Sequence, residues 1–435
     1  MHKTKCNLKM EMKLKRIAEL SSEGEHVTFK WLIQQVAEEN LISCFHALDG
    51  KKALGIDGIS KDEYGANLTE NIKSLVARMK NMDYFPAPVR ETKIPKGDGK
   101  FRPLGISNIE DKIVQMMFAK ILTAIYEPIF VQESFGFRPG RSCHDAIKNL
   151  HGYLNKKNYG AVIDVDLSNF FGTINHRKLI QVLEMKIKDR VFIRYIVRML
   201  KAGVLSDGEL KMSDDGTPQG SIVSPILANI FAHYAIDRFI KQNEKSLTAD
   251  HIHMVRYADD LVLCVRYQDA ERILDALKKR LERFSLKLNE EKTTVVNFSR
   301  GMANKGLKQG NFKYLGFTIY LGKSRSGKMI VKIKTNKNTL NRKLKAVTQW
   351  CKENRSAYRL SKLWKIFILK IRGHIQYYGV SHNFESVSNF VHEARRIFFK
   401  WINRRSQKKS FDWNRFVQFE KAFPLPQAKI VHRLF

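Results

Sequence analysis

The chain has 435 residues, 43% hydrophobic and 28% charged, and its 77 Lys and Arg against 43 Asp and Glu leave a formal net charge of +34. That length passes the roughly 250–300 residues at which a single core stops growing, so more than one packed unit is expected. So basic a chain gathers polyanions, which suits it poorly to an acidic or neutral small-molecule role and leaves nucleic acid or an anionic membrane as partner.

The membrane fails on length, since no stretch approaches the ~20 continuous apolar residues of a spanning helix. The N-terminus, MHKTKCNLKMEMKLKRIAEL, lacks the apolar centre of a signal peptide. Its alternating Lys and apolar residues read as an amphipathic helix, and the first ~60 residues as helices generally. Residues 71–90 continue helical, 91–95 read as a strand, and KGDGK at 96–100 turns it. Residues 109–125 carry apolar positions at helical spacing. AVIDVD at 161–166 is a period-two strand with Asp164 and Asp166 on one face and Ile163 and Val165 on the other. MVRYADDLVLCV at 254–265 has two β-rich arms around an acidic centre, and 269–284 is an amphipathic helix with Ile273, Leu277, Leu281 and Phe284 on one stripe. Helices and strands mix without regular βα alternation, so the fold class expected is α+β. Beyond about residue 320 the chain reads as helical and basic. From Lys292 through Lys352 there are fifteen Lys or Arg and no Asp or Glu, which favours a nucleic-acid channel over a solvated face. The five cysteines (Cys6, Cys44, Cys143, Cys264, Cys351) have no paired spacing, so zinc and disulfides are not expected and the thiols suit a reducing compartment.

Nucleotidyl transfer needs two divalent ions roughly 3.5–4 Å apart, and Mg²⁺ takes a few carboxylates beside phosphate oxygens and water. Asp166 ends one predicted strand, and Asp259 and Asp260 sit at the apex of the 254–265 hairpin; if the strands are neighbours, these carboxylates meet. An Ala-Asp-Asp tip alone is equally a solvated turn. The apolar arms argue for burial, where an uncompensated Asp pair is costly and a metal is the natural compensation.

Tyr257-Ala258-Asp259-Asp260, preceded by Arg256, resembles the RYADD signature of group II intron reverse transcriptases. Six further blocks stand in that family's order: GIDG (55–58), IPKGDGKFRPLGISNIEDKIVQ (94–115), FGFRPGRSCHDAI (135–147), DVDLSNFFGTINH (164–176), GTPQGSIVSPILANI (216–230), and LKLNEEKT (286–293) with KYLGF (313–317). The resemblance spans nearly the whole chain. It implies a right-hand polymerase, with an N-terminal helical extension (1–60), fingers and palm (61–320) and a C-terminal α-helical thumb or maturase domain (321–435), and no HNH nuclease.

By that resemblance Asp166, Asp259 and Asp260 are catalytic and hold two Mg²⁺ ions, for which Mn²⁺ substitutes. Phe171 lies under the incoming sugar and leaves no space for a 2′-hydroxyl. Lys96 and Arg102 clamp the triphosphate, Gln219 and Gly220 meet nucleotide and template, and Lys292 approaches the leaving pyrophosphate. Arg138, Arg141, Tyr314, Leu315, Gly316, Arg372, Tyr377 and Tyr378 are assigned to primer, template and RNA. In the last group, LWKIFILKIRGHIQYYGV (363–380) interleaves basic and aromatic residues as nucleic-acid contacts require, though its tyrosines read equally well as the core of a helical bundle. The family's FFD is here Phe170-Phe171-Gly172, a departure that bears on local backbone rigidity. The implied activity is RNA-directed DNA polymerisation with binding and splicing of intron RNA. The implied partners are group II intron RNA, RNA template with DNA primer, dNTPs and target DNA, with a homodimer left open and a cytoplasmic, nucleoid-associated location. A catalytically silent maturase and a domesticated defence or CRISPR-associated enzyme share these motifs.

One expectation follows from charge alone. If RNA is the partner, log affinity should fall linearly with log salt, by roughly 0.7–0.9 per phosphate neutralised; a flat filter-binding titration between low and moderate salt would exclude an electrostatic RNA interface.

Overall fold

Helices lead the chain. The computed structural model, which describes residues 2–97, 100–206, 209–212, 214–217, 220–405 and 411–434, has them at His2–Ser22 and Glu38–Ala47, with a 3₁₀ turn over Leu32–Gln35 between. Residues 51–60, expected to be helical, are turns and irregular backbone. A capping box then opens the helix Lys61–Ala66: Glu63 N donates to Ser60 Oγ (3.2 Å) and Ser60 N to Glu63 Oε2 (2.7 Å). The following helix spans Leu68–Lys80 and stops short of the expected residue 90. Met82 turns at φ 64, and Pro86 and Pro88 bar helix from the approach to the first strand.

The strands among the described residues are β1 (Val89–Gly97), β2 (Lys100–Ile106), β3 (Ala161–Val165), β4 (Val204–Ser206), β5 (Glu209–Lys211), β6 (His253–Tyr257), β7 (Asp260–Val265), β8 (Thr294–Asn297), β9 (Asn311–Tyr314), β10 (Phe317–Lys323) and β11 (Met329–Thr335). They form sheets of order β2-β1-β4-β5, β6-β7-β3-β8 and β11-β10-β9. The second sheet is central, with β3 antiparallel to both β7 and β8.

Period-two alternation sends that sheet's side chains into two cores. Ile163, Val165, Leu261 and Leu263 enter one with the helices Ile109–Tyr126, His176–Lys186 and Arg190–Leu200. Val162, Val255, Val262 and Cys264 enter the other with the helix Cys143–Lys156, the β9–β11 sheet and the helices Lys337–Asn354, Leu360–Tyr378, Phe384–Ile402 and Trp413–Ala422. The structure is thus mixed α and β with a helical C-terminal region. The two packed units expected from length share a sheet rather than a linker. The boundary expected at 320/321 falls inside β10, because Phe317, Ile319, Val331 and Ile333 alternate into the second core and carry the sheet on to Thr335. No helix among the described residues is long and apolar enough to cross a membrane.

A buried amide joins the third sheet to the helices behind it. Asn383 accepts from Thr335 N (2.7 Å) and donates to Thr335 Oγ1 and Tyr378 O (2.8 Å each). Asn383→Ala would leave the buried Thr335 N–H unmet, at about 1–3 kcal/mol, while Tyr378 O keeps its bond from Val380 N. We expect a Tm several degrees lower; an unchanged melt would mean that this joint carries no stability.

Candidate active site

The acidic hairpin is held from beneath. β6 and β7 pair with Tyr257 opposite Asp260, so Ala258 and Asp259 form the turn and Asp260 is the first residue of β7. Ala258 has φ 58, a left-handed conformation that costs a residue with a β-carbon roughly 1–2 kcal/mol. Such strain persists only where the surroundings over-determine it, and here they do. Arg256, 1% exposed, donates from Nε and Nη2 to the two carboxylate oxygens of Asp237 (2.7 and 2.6 Å), and from Nη1 to Ala258 O (3.0 Å) and Asn229 Oδ1 (3.1 Å). Asn229 Nδ2 donates in turn to Gly136 O (2.6 Å). A β-carbon on Gly136 would lie 2.3 Å from Ala258 N, so only glycine lets that loop reach the turn. Burial would raise the carboxyl of Asp237, but the charge and hydrogen bonds of Arg256, with those of His233, hold it below the ordinary range. Asp237 closes a π-helical turn, His233–Asp237, inserted between the helices Ser224–Ala232 and Arg238–Leu247; such turns are frequent at functional sites.

The β3–β7 register pairs Asp164 with Val262 and Val165 with Leu261; one step further, Asp166 faces Asp260. Asp164, Asp166 and Asp260 line one cavity of about 550 Å³ together with Lys292 and the Tyr314-Leu315-Gly316 turn. Burial, and then the charges of Asp260 and Asp166, push the carboxyl of Asp164 up to about 7. Lys292 Nζ is 3.4 Å from Asp166 Oδ2, on a loop tied back by Asn289 N donating to Asp166 O (2.8 Å). Leu315 and Gly316 have φ 47 and 82, and positive values at both central residues mark a type I′ turn. Asp259, half-buried at the apex, is not among the residues lining this cavity.

Among the described residues no three His, Cys, Asp or Glu side chains form a metal-ligand group. Mg²⁺ does not need one, since it is usually bound through one or two carboxylates while substrate phosphates and water complete its shell. Three carboxylates around one cavity, one of them raised by burial and then by its neighbours' charges, make an all-oxygen site that suits a hard divalent cation.

The other expected residues divide. Phe171 is half-buried, its ring 6.1 Å from that of Phe137 at 83°. In the turn Phe170–Gly172, a β-carbon on Gly172 would fall 2.3 Å from Asn169 Nδ2, so the missing Asp makes room for the side chain of Asn169, itself at φ 45. Arg102 is exposed on β2 opposite Ile94. Gln219 and the Lys96 side chain lie outside the described residues. Gly220, at φ 109, sits where a β-carbon would be 2.4 Å from Gly105 O, so its turn lies against β2.

Arg138, expected at the nucleic acid, is buried, with its guanidinium bonded to Glu127 (2.8–3.1 Å), Val131 O (2.6 Å) and Ser134 O (2.7 Å), so its donors are engaged within the protein. Arg141 is likewise engaged, with Gln132 and Ser134 O. Tyr377 is half-buried and bonded to Leu315 O, Tyr378 is buried against Gly316, as the bundle-core reading of these tyrosines has it, and Arg372 is exposed.

Sequence reading missed the site role of Asp164, although its shared face with Asp166 was visible in the alternation. It also missed the Arg256–Asp237 pair, for which no local signal exists. A second cavity of about 800 Å³ lies on the open side of the β9–β11 sheet, lined by Lys308, Lys323, Lys334 and Lys337, and it shares Asn311 and Lys313 with the first. No acidic residue lines it.

Residues 94–319 match the family described as "Reverse transcriptase (RNA-dependent DNA polymerase)". The chain is 26% identical to the group II intron-encoded protein LtrA of Lactococcus lactis subsp. cremoris, over 87% of this chain and 75% of that protein. It is 30% identical to protein YkfC of Escherichia coli, over 73% of this chain and 86% of that protein. It is 40% identical to an uncharacterized 91 kDa protein in the cob intron of Schizosaccharomyces pombe, over 46% of this chain and 24% of that protein. The chain belongs to the reverse transcriptase family and is an RNA-directed DNA polymerase. Its relatives place it, more narrowly, with the group II intron reverse transcriptases and maturases.

Arg256→Met would leave Asp237 buried and unpaired, and we expect a loss of about 3–5 kcal/mol in denaturant unfolding. Arg256→Met/Asp237→Leu should regain part of it; equal losses in both would show that the pair is not the source.

Proposed function

We propose that the chain copies RNA into DNA at the cavity between β3 and β7, with Asp166 and Asp260 on that cavity and Asp259 from the hairpin apex beside it holding two Mg²⁺ ions, for which Mn²⁺ substitutes, and Asp164 deepening the negative potential. The observation that carries this is the juxtaposition of Asp166 and Asp260 across the strand register, on one cavity. The ions, when bound, activate the primer hydroxyl and stabilise charge on the leaving group. The chain's own residues do the rest. Lys292, beside Asp166, offers a positive charge to the departing pyrophosphate. The Tyr314-Leu315-Gly316 turn supports the primer end. Phe171 blocks a 2′-hydroxyl, Lys96 and Arg102 on the β1–β2 hairpin meet the triphosphate, and Gln219 and Gly220 meet nucleotide and template.

In this reading the β1–β2 hairpin and its flanking helices are the fingers, the central sheet the palm, and the helices from Lys337 onward the thumb or maturase domain. The lysine-lined groove on β9–β11 receives the phosphate backbone of RNA or of the template–primer duplex. The partner proposed for the protein as a whole is a group II intron RNA whose splicing it assists, because relatives of this kind are intron-encoded and the charge of +34 suits a polyanion.

The test is extension of oligo(dT) on poly(rA) with dTTP and Mg²⁺. Wild type should extend, Asp166→Ala and Asp260→Ala should lose ~10³-fold or more in rate, and chelation should stop the reaction. Extension unaffected by either substitution would move catalysis elsewhere. Absence of extension in wild type, with intron RNA still bound, would favour a protein that only folds RNA.

A further inference from the structure

The motif Tyr377-Tyr378-Gly379 joins two parts of the chain that are distant in sequence. On one side, the segment after the helix Trp413–Ala422 returns to it. Val431 N and His432 N both donate to Gly379 O (2.6 and 2.9 Å), Ser381 N donates to His432 O (3.2 Å), and Leu434 N donates to Ser381 Oγ (3.2 Å). A β-carbon on Gly379 would fall 2.6 Å from Lys429 O, so glycine is what admits the segment so closely. His432 completes the seal: Nε2 lies 2.9 Å from Gln376 O, and the ring stacks at 3.7 Å on His144, whose own Nε2 is 2.8 Å from Tyr377 O.

On the other side the same motif holds the turn at the carboxylate cavity. Tyr377 Oη donates to Leu315 O (2.9 Å), and its ring stacks on Phe317 at 5.8 Å and 16°. Tyr378 Oη would be 3.0 Å from a β-carbon on Gly316. Leu315 sits at φ 47, unfavourable for a residue with a side chain and in need of external restraint.

We propose that residues 425–434 are a strap which, through Tyr377 as a positioning residue, sets the height of the 314–316 turn over the carboxylates and so the placement of the primer end. This rests on the polymerase reading of the cavity. The strap makes no contact with substrate; it acts by geometry, and a displacement near 1 Å at a reacting end is worth about 10²-fold in rate.

Single-turnover primer extension, with the active fraction titrated, separates positioning from mere support. Tyr377→Phe keeps the ring and removes the bonds of its hydroxyl, to Leu315 O and to the Cys143 thiol; Cys143→Ala, which removes only the second, should leave the rate constant unchanged. Tyr377→Phe should lower the rate constant about fivefold, the worth of one net hydrogen bond, at unchanged active fraction and unchanged KM for dTTP. His432→Ala should act in the same direction, and the double variant should fall short of the product of the two effects, because both lie on one chain of contacts. Reduced active fraction with an unaltered rate constant would make the strap a stabiliser only and overturn the proposal, as would effects that multiply in full. Variants equal to an active wild type remove the strap alone; an inactive wild type removes the polymerase reading and the strap together.

Discussion

A buried ion pair underlies the site. The bidentate bond between Arg256 and Asp237 lies wholly inside the protein, where two charges are worth their desolvation only if every donor and acceptor is met. Here all three guanidinium nitrogens and both carboxylate oxygens are engaged, and Nη1 of Arg256 reaches Ala258 O and Asn229. The result is a strained, non-glycine turn held in one conformation, with Asp260 delivered at the first position of β7. Gly136 and the π-helical turn belong to the same device: one lets a loop close on the hairpin, the other brings Asp237 to Arg256.

The second constraint is the shared sheet. Because β3 and β7 show one face to each core, the carboxylates at their ends are fixed by packing on both sides, and the fold offers no hinge between them. β9 and the 314–316 turn line the other end of the cavity, and the C-terminal helices back that turn from behind. Their tyrosines, which the sequence leaves open between nucleic-acid contacts and a bundle core, lie inward, against the 314–316 turn. Interleaved aromatic and basic residues report amphipathicity; which ring faces which way depends on what the helix lies against. Arg138 teaches the same lesson, since an arginine in a glycine-rich loop looked free to bind phosphate and is instead bonded to Glu127 and two carbonyls.

Much was legible in the residues themselves. The helix at Ile109–Tyr126, the strand at Ala161–Val165, the acidic hairpin and the amphipathic helix at Ala270–Arg283 follow their periodicity, because local spacing is what decides which face is apolar. The elements that went astray are those settled by partners. Residues 51–60 wrap between helices without regular structure. The stretch beyond 320 stays β because Val331 and Ile333 are wanted in a core that the C-terminal helices build.

The sequence by itself determined the family, the net charge and the acidic residues available for metal, since these depend on residue identity and order alone. Only the tertiary structure decided which carboxylates share a cavity: Asp164 joins Asp166 and Asp260, while Asp259 stays at the apex. Register across strands nearly a hundred residues apart is a matter of packing. It likewise decided that Arg256, Tyr377 and Gly379 serve the site from behind, because a hydrogen-bond partner far along the chain leaves no trace in local pattern.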